Sequence, residues 1–162
     1  DDTRGRVDGK NHHVHIFCNE FYMAFFTRPK KDRLTLLEIL CRGELKFSLG
    51  QDAIGLMETL GMSQRKLREV EGIEKQGVLT RSEIDAILLY LFPNSKKQKT
   101  NRRIILEAAA LTYYHSLPHA VQHMMCDDAP QFNLIAKHKS LCWIHEGRHY
   151  KKLALLNKTN YG

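Results

Sequence analysis

Residues 12–18 read His-His-Val-His-Ile-Phe-Cys, and residues 21–26 read Phe-Tyr-Met-Ala-Phe-Phe. Both runs are rich in β-branched and aromatic residues, which favour extended strands. Only Asn19 and Glu20 separate the runs, so they predict a β-hairpin. Residues 4–11 contain two glycines and predict a turn region that joins this hairpin to an earlier strand. The chain is therefore expected to open as three antiparallel strands.

The middle of the chain, from about residue 44 to residue 117, is predicted to be almost wholly helical. A helix at about 32–42 precedes it and is expected to end at Gly43. Residues 80–83, Thr-Arg-Ser-Glu, have the spacing of a capping box, and the apolar stripe behind them is typical of a packed helix. A further helix is predicted over 104–117, with three consecutive alanines at its centre.

Strand signals return towards the end of the sequence. Residues 121–126, Val-Gln-His-Met-Met-Cys, predict a short apolar strand that stops at Asp127-Asp128. Residues 141–144 predict a second short strand, and a basic helix is expected from 145 to 155. Strands, then helices, then strands are typical of a mixed α/β or α+β fold.

The charge balance points to an anionic partner. Among 162 residues there are 25 Lys and Arg against 18 Asp and Glu, which gives a formal net charge of +7 and a pI near 9.3. Nucleic acid is the leading partner for a basic globular domain of this kind. The 43% hydrophobic content excludes a fully disordered chain or a collagen. No apolar run approaches the roughly 20 residues that span a bilayer, so no membrane partner is expected.

Residues 95–103 hold the densest cluster of positive charge. Five of these nine residues are basic and none is acidic. They are Lys96, Lys97, Lys99, Arg102 and Arg103. Such a segment fits a loop that contacts DNA phosphates. The alternative is a solvated loop without a partner, and the sequence does not decide between the two.

Histidine and cysteine residues give weaker signals. His12, His13 and His15 are expected to be polar residues of a half-exposed strand, with His13 and His15 on one face. The four cysteines, at 18, 41, 126 and 142, are expected to be buried free thiols. Cys126, Cys142 and His145 have irregular spacing, which makes a poor zinc signature.

Two pairs of carboxylates stand at predicted strand positions. Asp1 and Asp2 lie on the first strand, and Asp127 and Asp128 follow a buried strand. Ligands and catalytic groups cluster at strand ends in α/β sheets. Two aspartates brought together repel each other unless a cation lies between them, and Mg²⁺ or Mn²⁺ suits such oxygen ligands. The alternative is that these residues are helix caps and surface acids.

Three segments resemble bacterial insertion-sequence transposases with a ribonuclease-H-like DDE core. Residues 1–3, Asp-Asp-Thr, followed by a glycine-containing turn and a hairpin, look like the family's first catalytic strand. Residues 126–133, Cys-Asp-Asp-Ala-Pro-Gln-Phe-Asn, look like its second catalytic segment. Residues 141–153 look like its block with Cys-Trp, His and Arg. Residues 33–40 and 105–111 also fit the sequence pattern of this family, so the resemblance spans almost the whole chain.

The resemblance implies a fold. Strands 1–3 would be antiparallel, strands 4 and 5 parallel, and all five would form one mixed ribonuclease-H-like sheet. Strand 4 would neighbour strand 1 and end at the second aspartate. Residues 1–162 would then be a partial catalytic core, with the helical segment of about 44–117 inserted between strands 3 and 4.

The resemblance also implies a chemistry. Asp1 and Asp127 would be the catalytic metal ligands for two Mg²⁺ or Mn²⁺ ions, supported by Asp2 and Asp128. The family's third acid, a Glu, is expected beyond residue 162, with Glu146 as the only local substitute. The ions would polarise a phosphodiester for attack by water and then by a 3′-hydroxyl, which is DNA cleavage followed by strand transfer.

The last segment supplies further candidates. His145 and Arg148 are three residues apart on a helix and could contact a scissile phosphate or the flanking strand. Trp143 and Phe132 are expected in the core.

The implied protein is an Mg-dependent transposase of the bacterial cytoplasm, associated with the nucleoid. Its partners would be transposon-end and target DNA, on which the full-length protein would act as a homo-oligomer. A ribonuclease-H-like nuclease or resolvase, or a non-catalytic DNA-binding remnant, stays open as an alternative.

Overall fold

The computed structural model describes residues 2–73 and 77–153, with the backbone alone at 2–4, 148–149 and 151–153. The chain divides into two compact units. One unit is Asp1–Pro29 with Val121–Gly162, and the other is Lys30–Ala120. The whole of the predicted helical segment lies inside the second unit.

In the first unit, β1 (Asp2–Val7), β2 (Lys10–Cys18) and β3 (Met23–Arg28) form an antiparallel sheet with β2 at its centre. Asp8 and Gly9 connect β1 to β2 with φ angles of 49° and 74°, as in a two-residue type I′ turn. The predicted three-stranded opening is confirmed. The turn is shorter than the predicted segment 4–11, because both strands continue up to Asp8 and Gly9.

Asn19 organises the loop between β2 and β3. Its side-chain oxygen accepts hydrogen bonds from the backbone N–H groups of Phe21 and Tyr22 at 2.9 and 3.0 Å. Its own N–H donates to the Tyr22 carbonyl at 3.0 Å. The second strand therefore starts at Met23 and not at the predicted Phe21. Phe21 and Tyr22 are exposed in the loop.

The histidines of β2 differ in burial. His15 is 1% exposed, whereas His12 and His13 are half-buried. The expectation of a half-exposed polar strand is therefore wrong for His15. Among the residues that the structure describes, three or more histidine, cysteine or acidic side chains nowhere come together as a metal site would require.

The first two helices of the second unit each end shortly before a glycine, the first of them as predicted. α1 (Arg33–Leu40) begins after Asp32, whose carboxylate accepts a hydrogen bond from a backbone N–H of the first turn. It ends before Gly43, and α2 (Gln51–Thr59) ends before Gly61. These glycines have φ angles of 85° and 89°. Glycine adopts this left-handed conformation at little cost, so it closes helices well.

The next two helices differ in how they begin. α3 (Gln64–Glu71) follows Ser63, which holds the cap position without a side-chain hydrogen bond. α4 (Arg81–Leu91) has the predicted capping box. In this box the Thr80 N–H donates to the Glu83 carboxylate at 2.7 Å, and the Glu83 N–H donates to the Thr80 hydroxyl at 3.4 Å.

α5 (Lys99–His115) is the central helix of the second unit. Every side chain from 104 to 111 is buried, and α5 packs against α1, α2 and the short strand β4 (Phe47–Ser48). The three alanines at 108–110 have small side chains that let these elements approach closely. β4 pairs with β5 (Val78–Leu79). Among the described residues of this unit, these two very short strands are the only β structure, and the remaining regular elements are helices. That it is an insertion into a larger sheet stays a prediction.

A buried ion pair ties α1 to α5. The Arg33 guanidinium donates a hydrogen bond to the Glu107 carboxylate, and both side chains are about nine-tenths buried. Arg103 lies at the solvent side of the same carboxylate, with Nε 3.8 Å from Oε1. Because both charges are largely removed from water, their attraction offsets part of the cost of burying them.

The first unit also contains a parallel strand pair. β6 (His123–Cys126) pairs with β7 (His138–Leu141), with Cys126 opposite Leu141. α6 (Trp143–Leu153) follows β7 after one residue. The observed strand is His138–Leu141, so the predicted strand at 141–144 is wrong apart from Leu141. Trp143 and Ile144 begin the helix.

The fold thus combines an antiparallel sheet, a parallel strand pair and a helical unit, which confirms a mixed α+β class. The pairing of β1 with β6 is not among the strand pairs of the described residues. The single ribonuclease-H-like sheet and its strand order stay predictions. In the described part of the chain, no helix combines the length and hydropathy that crossing a membrane requires.

We predict that Glu107→Gln lowers the free energy of unfolding by about 3–5 kcal/mol, because it removes the negative charge that faces the buried Arg33 guanidinium. Urea titration followed by far-ultraviolet circular dichroism measures this change. Arg103→Ala is the matched control and should cost less than about 1 kcal/mol, since Arg103 is exposed. A Glu107→Gln variant as stable as the control would contradict the assignment.

Candidate active site at the end of a parallel strand pair

Asp127 directly follows β6, at the edge where the parallel pair ends. The pairing continues beyond the strands, because the Cys142 N–H donates to the Cys126 carbonyl at 2.8 Å. Asp127 is half-buried, and its Oδ1 accepts a hydrogen bond from the Ala129 N–H at 3.0 Å. This bond fixes the carboxyl group at the strand end.

Asp128 has a different environment. Its side chain is 79% exposed and lies 3.1 Å from the Lys139 ammonium on β7. The same ammonium donates to the Asn133 side-chain oxygen at 2.7 Å. Asp128 therefore links the loop after β6 to β7 and has little burial of its own.

The loop after Asp128 is anchored by apolar side chains. A turn of 3₁₀-helix spans Pro130–Phe132, and Phe132 is buried. Ile135 is buried as well. The prediction that Phe132 is a core anchor is confirmed.

The start of α6 lies at the same end of the parallel strand pair as Asp127. The Cys142 carbonyl accepts hydrogen bonds from the N–H groups of His145 and Glu146, both at 3.1 Å. The His145 and Glu146 side chains are half-buried. Arg148 lies one turn after His145 on α6, and its side chain is outside the described part of the structure. Trp143 is 80% exposed, so its predicted place in the core is wrong.

The first acidic pair is only partly covered by the structure. Asp1, the predicted partner of Asp127, lies outside the described residues. Asp2 begins β1 opposite His15 on β2, and only its backbone is described. The predicted meeting of Asp1 with Asp127 therefore stays a prediction, and Asp127 is the catalytic candidate whose side chain has a described position.

The basic segment 95–103 was predicted to be one loop, and this prediction is wrong. Its first half is a turn in which the Asn94 side-chain oxygen accepts the Lys97 N–H at 3.0 Å. Its second half, from Lys99, is the beginning of α5. The side chains of Lys96, Lys97 and Lys99 are exposed.

Arg102 and Arg103 have partners inside the protein. The Arg102 guanidinium donates to the carbonyls of Leu88 and Phe92 at 3.1 and 2.9 Å, which satisfies the last turn of α4. Arg103 lies beside the Glu107 carboxylate. We therefore assign Arg102 to the packing of α4 against α5, and we keep the three lysines as the candidates for phosphate contact.

Cys142 is a feature that the sequence interpretation missed. Hydrogen bonds to the His145 side chain and to backbone N–H groups at the start of α6 lower the pKa of the Cys142 thiol. Burial raises the pKa of the Cys41 thiol. Burial also raises the pKa of the Cys126 thiol, and Lys139 opposes that change. A cysteine just before a helix with a histidine three residues later was the available signal.

The other cysteines test one expectation. All four are free, but Cys18 is exposed and Cys142 is half-buried, so the prediction that every thiol is buried is wrong for these two residues.

No protein-family model, curated protein or solved structure matches this chain.

We predict that Cys142 reacts with iodoacetamide faster than Cys41 or Cys126 near neutral pH. The thiolate is the reacting form, so a lowered pKa increases its fraction and a raised pKa decreases it. Mass spectrometry of labelled peptides over a series of pH values measures each rate.

His145→Ala should slow the labelling of Cys142, because it removes the side-chain hydrogen bond that lowers the pKa. Equal rates for Cys142 in both proteins would show that His145 does not act on the thiol.

Proposed function

We propose that the chain is part of the catalytic core of an insertion-sequence DNA transposase, in which Asp127 is a ligand of a catalytic Mg²⁺ or Mn²⁺ ion. The observation that carries the proposal is the position of Asp127. Its carboxyl group is half-buried, held by the Ala129 N–H, and located at the end of a parallel strand pair. Catalytic carboxylates of α/β proteins occupy such strand ends.

The contrast between neighbouring acids supports this choice. Asp128 is exposed and paired with Lys139, whereas Asp127 has no lysine or arginine partner among the described ion pairs. A carboxylate that is partly buried without a basic partner is stabilised by a bound cation. This makes Asp127, of the two, the better metal ligand.

The donor chemistry of the site fits magnesium. Mg²⁺ is commonly held by one or two carboxylates together with water and phosphate oxygens. Asp127 supplies one carboxylate, and the resemblance assigns the other to Asp1. When bound, the metal would supply charge stabilisation for displacement at a phosphodiester. Glu146, half-buried in the first turn of α6, is the local candidate for a third acid.

The exposed lysines would hold the DNA backbone. Lys96, Lys97 and Lys99 are close in sequence, exposed, and without an ion pair among those of the described residues. Lysines of this kind bind phosphates through charge and carry no sequence information. The proposal places the protein on DNA in the bacterial cytoplasm, as a homo-oligomer in its full-length form.

We predict that Asp127→Asn weakens Mn²⁺ binding at least about tenfold, because a neutral amide is a much poorer ligand than a carboxylate. Water-proton relaxation during Mn²⁺ titration measures the affinity. Asp128→Asn is the matched control and should bind Mn²⁺ almost as the unchanged protein does. Equal losses from both variants would indicate a diffuse acidic surface. Unchanged binding in Asp127→Asn would favour the non-catalytic DNA-binding alternative.

We also predict that replacing Lys96, Lys97 and Lys99 with Ala lowers the slope of log K against log salt for duplex DNA by about two to three. Fluorescence anisotropy of a labelled duplex measures the slope. Arg65→Ala with Arg68→Ala, which removes exposed charges of α3, is the control and should leave the slope nearly unchanged. An unchanged slope in the triple variant would show that these lysines are only solvated.

A further inference from the structure

β6 and β7 bring two histidines together at the start of the parallel strand pair. His123 on β6 is the register partner of His138 on β7. Their rings stack with centroids 4.8 Å apart and with planes tilted by 19°, and both side chains are exposed. Metal–imidazole bonds are about 2.0–2.1 Å long, so a small rotation of two exposed rings at this spacing brings one nitrogen of each to a common ion.

The same face of the strand pair carries a thioether. Successive side chains of a strand point to opposite faces, so Met125 shares a face with His123, about 7 Å further along β6. Its side chain is 68% exposed and contributes little to packing. Met124 and Cys126 point to the other face and are half-buried and buried. Methionine is long and flexible, so its sulfur can extend towards the two imidazoles.

The three side chains select the metal. Imidazole nitrogen suits zinc, copper, iron and nickel, whereas the soft sulfur of a thioether favours copper(I). Magnesium and calcium require oxygen ligands, which these three side chains do not offer. Copper(I) is therefore the ion that suits both kinds of donor.

We propose that His123, His138 and Met125 form a copper(I) site on the exposed face of the β6–β7 pair. One histidine from each strand and one thioether supply three ligands, and the bound ion links the two strands through their side chains. Because the third ligand is a methionine, the site is compatible with the finding that three histidine, cysteine or acidic side chains nowhere come together in the described part of the chain.

This β6–β7 copper site is separate from the metal position proposed at Asp127. Four residues separate His123 from Asp127, which is about 13 Å along an extended strand. The donors differ as well, because a carboxylate is a hard ligand and a thioether is a soft one. The copper site therefore does not depend on the proposed function.

Nuclear magnetic resonance of the intact chain tests the site residue by residue. Copper(I) has a filled d shell and is diamagnetic, so the signals of its ligands shift and stay visible. Adding copper(I) under ascorbate without oxygen should shift the Met125 methyl signal and the ring signals of His123 and His138 together. Copper(I) that binds thiols elsewhere leaves these three signals in place. A titration in which they do not move would overturn the site.

A histidine variant separates metal binding from ring stacking. His138→Phe keeps a ring opposite His123 but removes a ligand. The copper(I) affinity reported by the Met125 methyl signal should fall at least about tenfold, because losing a ligand costs no less than losing a hydrogen-bond partner of that ligand. His12→Ala, which removes a half-buried histidine of β2, is the control and should leave the affinity unchanged. An unchanged affinity in His138→Phe would overturn the site.

A methionine variant tests the choice of metal. Met125→Leu keeps the size and apolar character of the side chain but removes the sulfur. The copper(I) affinity reported by the His123 and His138 ring signals should fall, whereas their response to Zn²⁺ should stay unchanged. Met23→Leu is the matched control, because Met23 is a 60% exposed methionine on β3, and it should bind copper(I) as the unchanged chain does.

The remaining outcomes are equally decisive. If Met125→Leu and Met23→Leu bind copper(I) alike, the two histidines act without the thioether and the proposed site is wrong. If Asp127→Asn weakens the copper(I) response as much as His138→Phe, the site is not separate from Asp127 and the proposal is wrong in that form. Circular dichroism checks that each variant is folded. Mn²⁺ binding at Asp127 is measured independently, so failure of the copper site leaves the proposed function untouched.

Discussion

The packing of the helical unit depends on two opposite charges buried between α1 and α5. Arg33 and Glu107 are about nine-tenths buried, and their opposite charges offset much of the cost of removing each from water. Their pairing fixes the position of α1 along α5 next to the buried alanines at 108–110. The small alanine side chains then allow α2 and β4 to pack against the same helix. One ion pair and one run of small residues therefore set the arrangement of the unit.

This arrangement has a consequence for the basic residues that follow α4. Arg102 on α5 donates to two carbonyls at the end of α4, and Arg103 lies beside Glu107. Arg102 thereby satisfies backbone groups at the end of α4, whereas Arg103 is largely exposed beside a carboxylate that Arg33 already pairs. The lysines at 96, 97 and 99 have no such task and stay in solvent. The fold thus separates structural cations from cations that are available to an anionic partner.

Local sequence signals predicted some helix ends well, but they predicted other boundaries and the contacts between distant segments less well. Gly43 and the Thr80 capping box act within a few residues, so their effects were readable from the sequence. The start of α5 at Lys99 was missed because a run of basic residues looks like a loop when its internal partners are unknown. Trp143 was misplaced because its burial depends on contacts between distant segments, which the local pattern does not contain. The same limit applies to the site. The position of Asp127 after a strand was readable from the sequence. Cys142 became a candidate for a reactive thiol only once the structure showed its interaction with His145.

We propose that a divalent metal binds at the strand end that carries Asp127. Iron-mediated cleavage tests this binding most directly, because Fe²⁺ bound in place of Mg²⁺ generates hydroxyl radicals that cut the nearby backbone in the presence of ascorbate and peroxide. Cuts are expected close to Asp127 and close to Asp1, and excess Mg²⁺ should suppress them. Cuts confined to the histidines of β2, or cuts that Mg²⁺ does not suppress, would show that the metal does not bind at Asp127.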